Sequence, residues 1–306
     1  MRVAKFLFSL LLILLIALVV HSLFSVTMAR IYFQRLDKTG DYVRLNGEDV
    51  FIKVYGSGKP MILVHGFLGS HLNFESIVER LSGSRKLYVV DLPGFGLSKA
   101  SLEGDYSKKG YADLLVDLMK ILNISRADVL GHSMGGEVAL NLAYHYPERV
   151  ERLILIDSTG YDSASYLPDF VARSEVLTYL LMRYGFQTYF LQRFLYRQGL
   201  GDASNYSANE FRLHFSITDN VSPSFLRLFD SQDDSGTLAE SIDEITAKTL
   251  IIWGSNDRIV TPDKGARFES DLPASRLITI AGAGHSPMIE DPETVSHEIL
   301  IFLNEN

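Results

Sequence analysis

The sequence predicts an α/β fold: a mainly parallel sheet flanked by helices and interrupted late in the chain by a helical insertion. Two observations carry this reading. Short, continuous apolar runs recur with helix-periodic segments between them, the pattern of parallel strands buried on both faces. The alternation then stops from about residue 161 to residue 244, where helical patterns follow one another without a strand-like run. The expected layout is an N-terminal segment (1–30), a first part of the α/β core (31–160), a helical cap (161–244) and a second part of the core (245–306).

No charged residue occurs from Phe6 to Ala29, and Arg2, Lys5, Arg30 and Arg35 flank that stretch. Its 24 residues span about 36 Å as a helix at ~1.5 Å per residue, and a bilayer core takes ~20 residues. An uncleaved single-pass membrane anchor is therefore expected. A cleaved signal peptide, leaving a secreted protein, is the alternative. The apolar run Phe6–Val20, broken by Ser9, touches the ~15-residue upper limit of such peptides, and Thr27-Met28-Ala29 is a poor cleavage site. The flanking cations nearly balance, so they do not orient the chain across a membrane.

Asp41–Tyr55 reads as two short strands around Asn46-Gly47, a hairpin signal. Met61–Val64 is a buried-strand run ending at His65-Gly66, and Leu87–Val90 ends at Asp91. The run Tyr111–Leu122 follows, with Leu114, Leu115, Leu118 and Leu122 at helical spacing. Asp128–Leu130 ends at Gly131 and leads into a helical run, Glu137–Tyr146; Leu153–Ile156 ends at Asp157. The insertion holds further helical patterns, Val176–Leu195 among them, and residues 161–230 contain 15 of the 34 aromatics. That excess predicts a cap with an apolar inner face. Thr249–Trp253 ends at Gly254, Leu277–Ile280 ends before Gly282, and a last helix, Pro292–Asn306, sets Val295, Ile299, Phe302 and Leu303 on one face.

The formal charge is −8; residues 1–30 hold three cations and no acid, which leaves the remainder at −11. An acidic body excludes a nucleic-acid partner, whose phosphates need clustered cations. The chain has no cysteine. That excludes disulfides, thiolate metal sites and a cysteine nucleophile, and leaves the compartment open.

Reactive groups of a parallel sheet gather at the carboxyl ends of its strands, and here those ends carry His65-Gly66-Phe67, Asp91, Ser133, Asp157, Asp257 and His285. Gly131-His132-Ser133-Met134-Gly135 lies between a strand and a helix, the context of a nucleophile elbow. A serine hydroxyl needs a base. His285, on a glycine-rich loop after the last strand, is the candidate. His71, His145, His214 and His297 fall on helical patterns as surface or packing residues, His21 lies in the N-terminal segment, and His65 and His132 adjoin glycines with other duties. A carboxylate must fix the histidine tautomer. Asp257 and Asp157 both follow strands and both preserve the order serine, acid, histidine, so order leaves the pair open. The backbone N–H groups of Phe67 and Met134 are placed to hold an oxyanion.

His65-Gly66-Phe67, Asp91-Leu92-Pro93-Gly94-Phe95-Gly96-Leu97-Ser98, Gly131-His132-Ser133-Met134-Gly135-Gly136, Trp253-Gly254-Ser255-Asn256-Asp257 and Gly284-His285 together resemble the α/β-hydrolase superfamily over residues 41–306. The resemblance implies an eight-stranded sheet, a lid after the sixth strand, and Asp257 rather than Asp157 as the acid. A serine at 133 departs from dehalogenases and epoxide hydrolases, which carry aspartate there. The arrangement is most similar to membrane-anchored monoacylglycerol lipases. The implied activity is carboxylic-ester hydrolysis on a small ester or lipid, without metal or organic cofactor. Carbon–carbon or amide hydrolysis by the same triad is the alternative within enzymes. A hydrolase-like receptor for a small ligand is the alternative outside them.

Overall fold

The computed structural model describes residues 2–101, 103–161, 174–181, 188–218 and 238–305. β1 (Asp41–Leu45) and β2 (Glu48–Tyr55) form the expected hairpin, with Asn46 and Gly47 at φ +48° and +87°. These are the left-handed conformations a two-residue turn demands. β3 (Lys59–Val64), β4 (Arg85–Val90), β5 (Ala127–His132), β6 (Val150–Ile156), β7 (Lys248–Gly254) and β8 (Ser275–Ile280) are parallel to one another. The eight strands make one sheet in the order β1-β2-β4-β3-β5-β6-β7-β8, with β1 and β2 antiparallel to their neighbours.

The apolar runs are continuous because both sheet faces are covered. Ile62, Val64, Leu153 and Leu155 point into one core, with Tyr111, Leu115, Leu118, Val138, Leu142 and Phe268. Met61, Leu63, Ile154 and Ile156 point into the other, with Phe74, Ile77, Leu81, Val295, Ile299 and Phe302. Alternate residues of one strand thus meet helices on opposite sides. The first core is built on α3 (Lys108–Ile121), α4 (Met134–His145) and α8 (Asp263–Asp271). The second rests on α2 (Glu75–Ser82) and α10 (Pro292–Asn304), with the short α9 (Pro287–Glu290) before the latter.

The chain leaves β3 toward β4 on one side and returns to β5 on the other. A crevice at such a switch point is where open α/β sheets bind ligands, and register aligns the strand ends around it: Val64 pairs with Gly131, Gly131 with Leu155, and Leu155 with Ile251.

Between β6 and β7 the described elements are helical: α5 (Glu175–Leu181), α6 (Tyr189–Gly199) and α7 (Ala208–Thr218). The single helix expected over Val176–Leu195 is two helices, with 182–187 outside the described residues. Tyr166, Phe170, Tyr184, Phe186, Phe225 and Phe229, part of the aromatic excess, also lie outside them.

The N-terminal segment is one helix, α1 (Arg2–Phe33), three residues beyond the expected boundary at residue 30. Its carboxyl end docks on the inserted helices, where Ala29 packs with Tyr189, Phe211 and Phe215. Among the described residues no helix is long and apolar enough to cross a membrane. The side chains of 2–5, 7, 8, 10, 11, 14, 15 and 18 are outside them, so the expected anchor lies in part beyond what is described.

Candidate active site

Ser133 stands between β5 and α4 at φ +53°, ψ −121°. This left-handed backbone is costly for a residue with a Cβ, by about 1–3 kcal/mol. Hydrogen bonds on both sides hold it: Ser133 N donates to Ile156 O at 3.0 Å, and its carbonyl accepts from Gly136 N at 2.9 Å and Thr159 N at 3.1 Å. Gly131 and Gly135 let the turn close. A Cβ on Gly131 would meet the carbonyl of Gly135, and one on Gly135 would meet the carbonyl of Val64. α4 therefore begins at Met134, earlier than the helical run at Glu137 suggests, because packing overrides the low helix propensity of two glycines.

The structure brings three of the sequence candidates into one relay. Ser133 Oγ lies 2.9 Å from His285 Nε2, and His285 Nδ1 lies 2.7 Å from Asp257 Oδ2. A carboxylate only accepts, so Nδ1 carries the proton and Nε2 is free to take the serine's. The other oxygen of Asp257 accepts from Ile259 N at 2.7 Å and Val260 N at 3.1 Å. The same residue is thus both a turn aspartate and the histidine's partner.

Asp157, the rival acid, faces elsewhere. Its Oδ1 accepts from Gly254 N at 2.9 Å. Burial pushes its carboxyl well above the usual range, and the charge of Asp257 pushes it further. Asp157 sits beside Asp257, and the side-chain partners of His285 are Asp257 and Ser133. Asp91, also at a strand end, serves the loops. Burial raises its carboxyl, but His71, His65 and the Leu97 N–H together hold it below the ordinary value. Asp91 Oδ1 accepts from His71 N at 2.5 Å and Oδ2 from Leu97 N at 2.8 Å. His71 is accordingly a buried partner of Asp91, not a surface residue.

The roles of three surrounding residues escaped the sequence reading, two of them histidines that it places near the site. Leu92 N donates to His65 Nε2 at 3.0 Å while His65 Nδ1 donates to Gly66 O at 2.7 Å, which pins the loop carrying Phe67. His132 Nε2 donates to His285 O at 2.7 Å; burial holds its pKa down to about 3, so the ring stays neutral. Glu290 ties the inserted helices to the histidine loop: its Oε2 accepts from Gly201 N at 2.9 Å and its Oε1 from Gly284 N at 2.7 Å. His285 N completes the tie by donating to Gly199 O at 2.7 Å. The one local signal for the histidines was their place beside glycines at strand ends; Glu290 had none.

Above Ser133 lies a cavity of about 250 Å³. It is lined by Gly66, Phe67 and Leu68, by Ser133 and His285, and by the aromatic rings of Tyr196, Phe211 and Phe215. His214, expected to be a surface or packing residue, lines it as well, its pKa lowered by burial to about 4. Among the described lining residues there is no lysine, arginine or carboxylate. Met134 opens α4 directly after the serine, and Phe67 borders the cavity from the β3 loop. No cluster of three or more His, Asp or Glu among the described residues is arranged to hold a metal.

A family profile for the alpha/beta hydrolase fold matches residues 59–292. Lipase 3 of Moraxella sp. (strain TA144) is 27% identical over 259 residues, covering 80% of this chain and 78% of the lipase. 2-Hydroxymuconate semialdehyde hydrolase of Pseudomonas sp. (strain CF600) is 26% identical over 267 residues, 82% of this chain and 88% of that one. A solved bacterial membrane phospholipase A shares the fold, with a TM-score of 0.74 at 22% identity over 98% of both chains.

Proposed function

The chain is a hydrolase of the α/β-hydrolase family, and we propose that it cleaves medium-chain acyl or monoacylglycerol-like esters through a covalent acyl-enzyme. The observation that carries this reading is the unbroken relay from Ser133 Oγ through His285 to Asp257. Ser133 Oγ attacks the ester carbonyl while its proton passes to His285 Nε2. Asp257 holds the ring and stabilises its charged form. The N–H groups of Phe67 and Met134 receive the oxyanion, the latter at the positive end of α4; each such donor is worth about 2.7–4 kcal/mol of barrier. Collapse expels the alcohol with the proton from His285. Water, deprotonated by the same ring, then releases the acid and restores Ser133.

The uncharged cavity supports an acyl chain over a carboxylate-bearing substrate. Its size, below the ~300–1,000 Å³ of drug-sized sites, supports a single chain. The relation to 2-hydroxymuconate semialdehyde hydrolase supports carbon–carbon cleavage as a second reading. The inserted helices α6 and α7 act as a cap over this cavity, and the uncharged Phe6–Ala29 stretch anchors the protein in a membrane. The test is product analysis of the full chain on graded acyl esters, monoacylglycerols and vinylogous diketones, with Ser133→Ala alongside. Ester turnover that Ser133→Ala abolishes is expected. Ester turnover that survives it, or cleavage confined to the diketones, refutes the proposal.

A further inference from the structure

α6 has two apolar faces. Leu195, Tyr196 and Gly199 line the cavity above Ser133. Phe190 and Phe194, one turn apart, point the other way and are each 57% exposed. α1 runs beside that outer stripe. The Phe24 ring stacks on Phe190 with centroids 5.8 Å apart, His21 stacks on it at 5.2 Å, and Tyr189 N donates to Ser25 Oγ at 3.0 Å. Leu12, Ile16, Val19, Val20 and Leu23 of α1 are exposed, so its apolar arc continues across Phe24 onto the outer side of α6. α5 exposes Val176, Leu177 and Leu180 in addition. Soluble surfaces seldom carry so extended an apolar face without a partner.

We propose that this joint face, α1 together with the outer side of α6, rests in a lipid bilayer, so that α6 separates the acyl chains of the membrane from the cavity over Ser133. The inference rests on the reading of Phe6–Ala29 as an anchor and adds where the catalytic body sits relative to it. Depth follows from the sequence. A bilayer core takes ~20 residues, and wherever such a window falls within Phe6–Ala29 it includes Phe24. Arg30 lies six residues further on, about 9 Å along the axis at ~1.5 Å per residue. Phe190, stacked on Phe24, is therefore held at the level of the upper acyl chains.

Charge agrees with this placement. The guanidinium groups of Arg193 and Arg197 lie 5.4 and 5.3 Å from the Tyr206 ring, and that of Arg212 lies 5.6 Å from the ring of Tyr32. Arginine and tyrosine beside an apolar stripe are the residues of a headgroup boundary. They stand on a chain whose net charge is −8, which matches this one face to anionic lipid. A lipid ester then reaches Ser133 by passing one helix, without crossing water.

The absence of cysteine permits single labels. Full-length Ile16→Cys, Phe194→Cys and Lys59→Cys variants, each carrying an environment-sensitive fluorophore, are reconstituted in phosphatidylcholine–phosphatidylglycerol vesicles with acyl-chain spin labels. Lys59 begins β3, at the end of the sheet opposite the site. Quenching at 16 and 194, and none at 59, is expected. Quenching at 16 with position 194 behaving like 59 overturns the proposal and leaves the anchor intact; no quenching at 16 overturns the anchor reading itself. In a second measurement, Phe190→Ser with Phe194→Ser lowers turnover of vesicle-borne monoacylglycerol about tenfold or more, from the lost burial of two aromatic rings, and leaves a soluble short-chain ester unchanged. Equal loss on both substrates refutes it.

Discussion

Replacing Asp157 by asparagine separates the duties of two aspartates that follow neighbouring strands. Asp157 is fully buried, sits at φ +43° and accepts from Gly254 N. Burial and the adjacent Asp257 keep its carboxyl protonated well above the usual range. In the unfolded chain the same group ionises near about 4. Its folded pKa is thus the higher one: its stabilising contribution is whole below about pH 4 and is lost as pH rises toward the folded pKa. Each pH unit inside that window costs about 1.4 kcal/mol. Asparagine does not ionise, keeps an oxygen for Gly254 N–H, puts an N–H where the acid proton stood, and accepts a left-handed backbone. Asp157→Asn is therefore expected to gain stability over the wild type as pH rises above about 4, by at most about 1.4 kcal/mol per pH unit, while turnover stays within a few-fold. Urea unfolding followed by Trp253, the single tryptophan and fully buried, measures the first quantity. Asp257→Asn, by contrast, removes the acceptor of His285 Nδ1–H and is expected to cost turnover on the order of 10⁴. A stability difference that does not change with pH, or an Asp157→Asn enzyme as inactive as Asp257→Asn, refutes the assignment.

Glu290→Ala unties Gly201 N from Gly284 N; charged hydrogen bonds of this kind are worth about 1.5–3 kcal/mol. Turnover should fall with little change in KM, fluorophosphonate labelling of Ser133 should persist, and Glu290→Gln should recover most of the loss. Gly131→Ala drives a methyl into the Gly135 carbonyl and should destabilise by about 1–3 kcal/mol or more, read as a drop in Tm. His132 and His214, with folded pKa values of about 3 and about 4, are lowered by burial, so the stability they contribute is whole above about pH 6.5 and is lost as pH falls. Thermal melts from pH 7 down to pH 4 should show that decline, and His132→Asn should reduce its slope.

The strands were legible because being buried on two faces leaves them no polar side. Met61–Val64, Leu153–Ile156 and Thr249–Trp253 are near-unbroken apolar runs, and each is a strand close to its read limits. Errors fell where packing overrules local preference. β5 continues through Gly131 to His132, since the ladder to Leu155 and Ile156 holds a glycine that propensity would not. In the insertion, periodicity marked helices but not where one ends, and it could not tell the face of His214 that meets the cavity from one that meets water.

The site divided along the same line. Ser133, Asp257 and His285 were readable because each works from the end of a strand, and a parallel sheet gathers those ends at one edge. Chain order does not separate Asp157 from Asp257, since both follow strands; the resemblance favours Asp257, and distance to His285 separates them in the fold. The roles of His65, His132 and Glu290 were not legible for a further reason: each acts by hydrogen-bonding a backbone group, and main-chain N–H and C=O groups are the same for every residue type. The carbonyl that His132 holds lies 153 residues away, and no spacing rule reaches it. What these residues secure is the position of the loops, of Phe67 through His65, and of His285 through His132 and Glu290. A relay of 2.9 and 2.7 Å contacts tolerates little displacement, so the Ser133–His285–Asp257 arrangement depends for its geometry on partners that only the fold reveals.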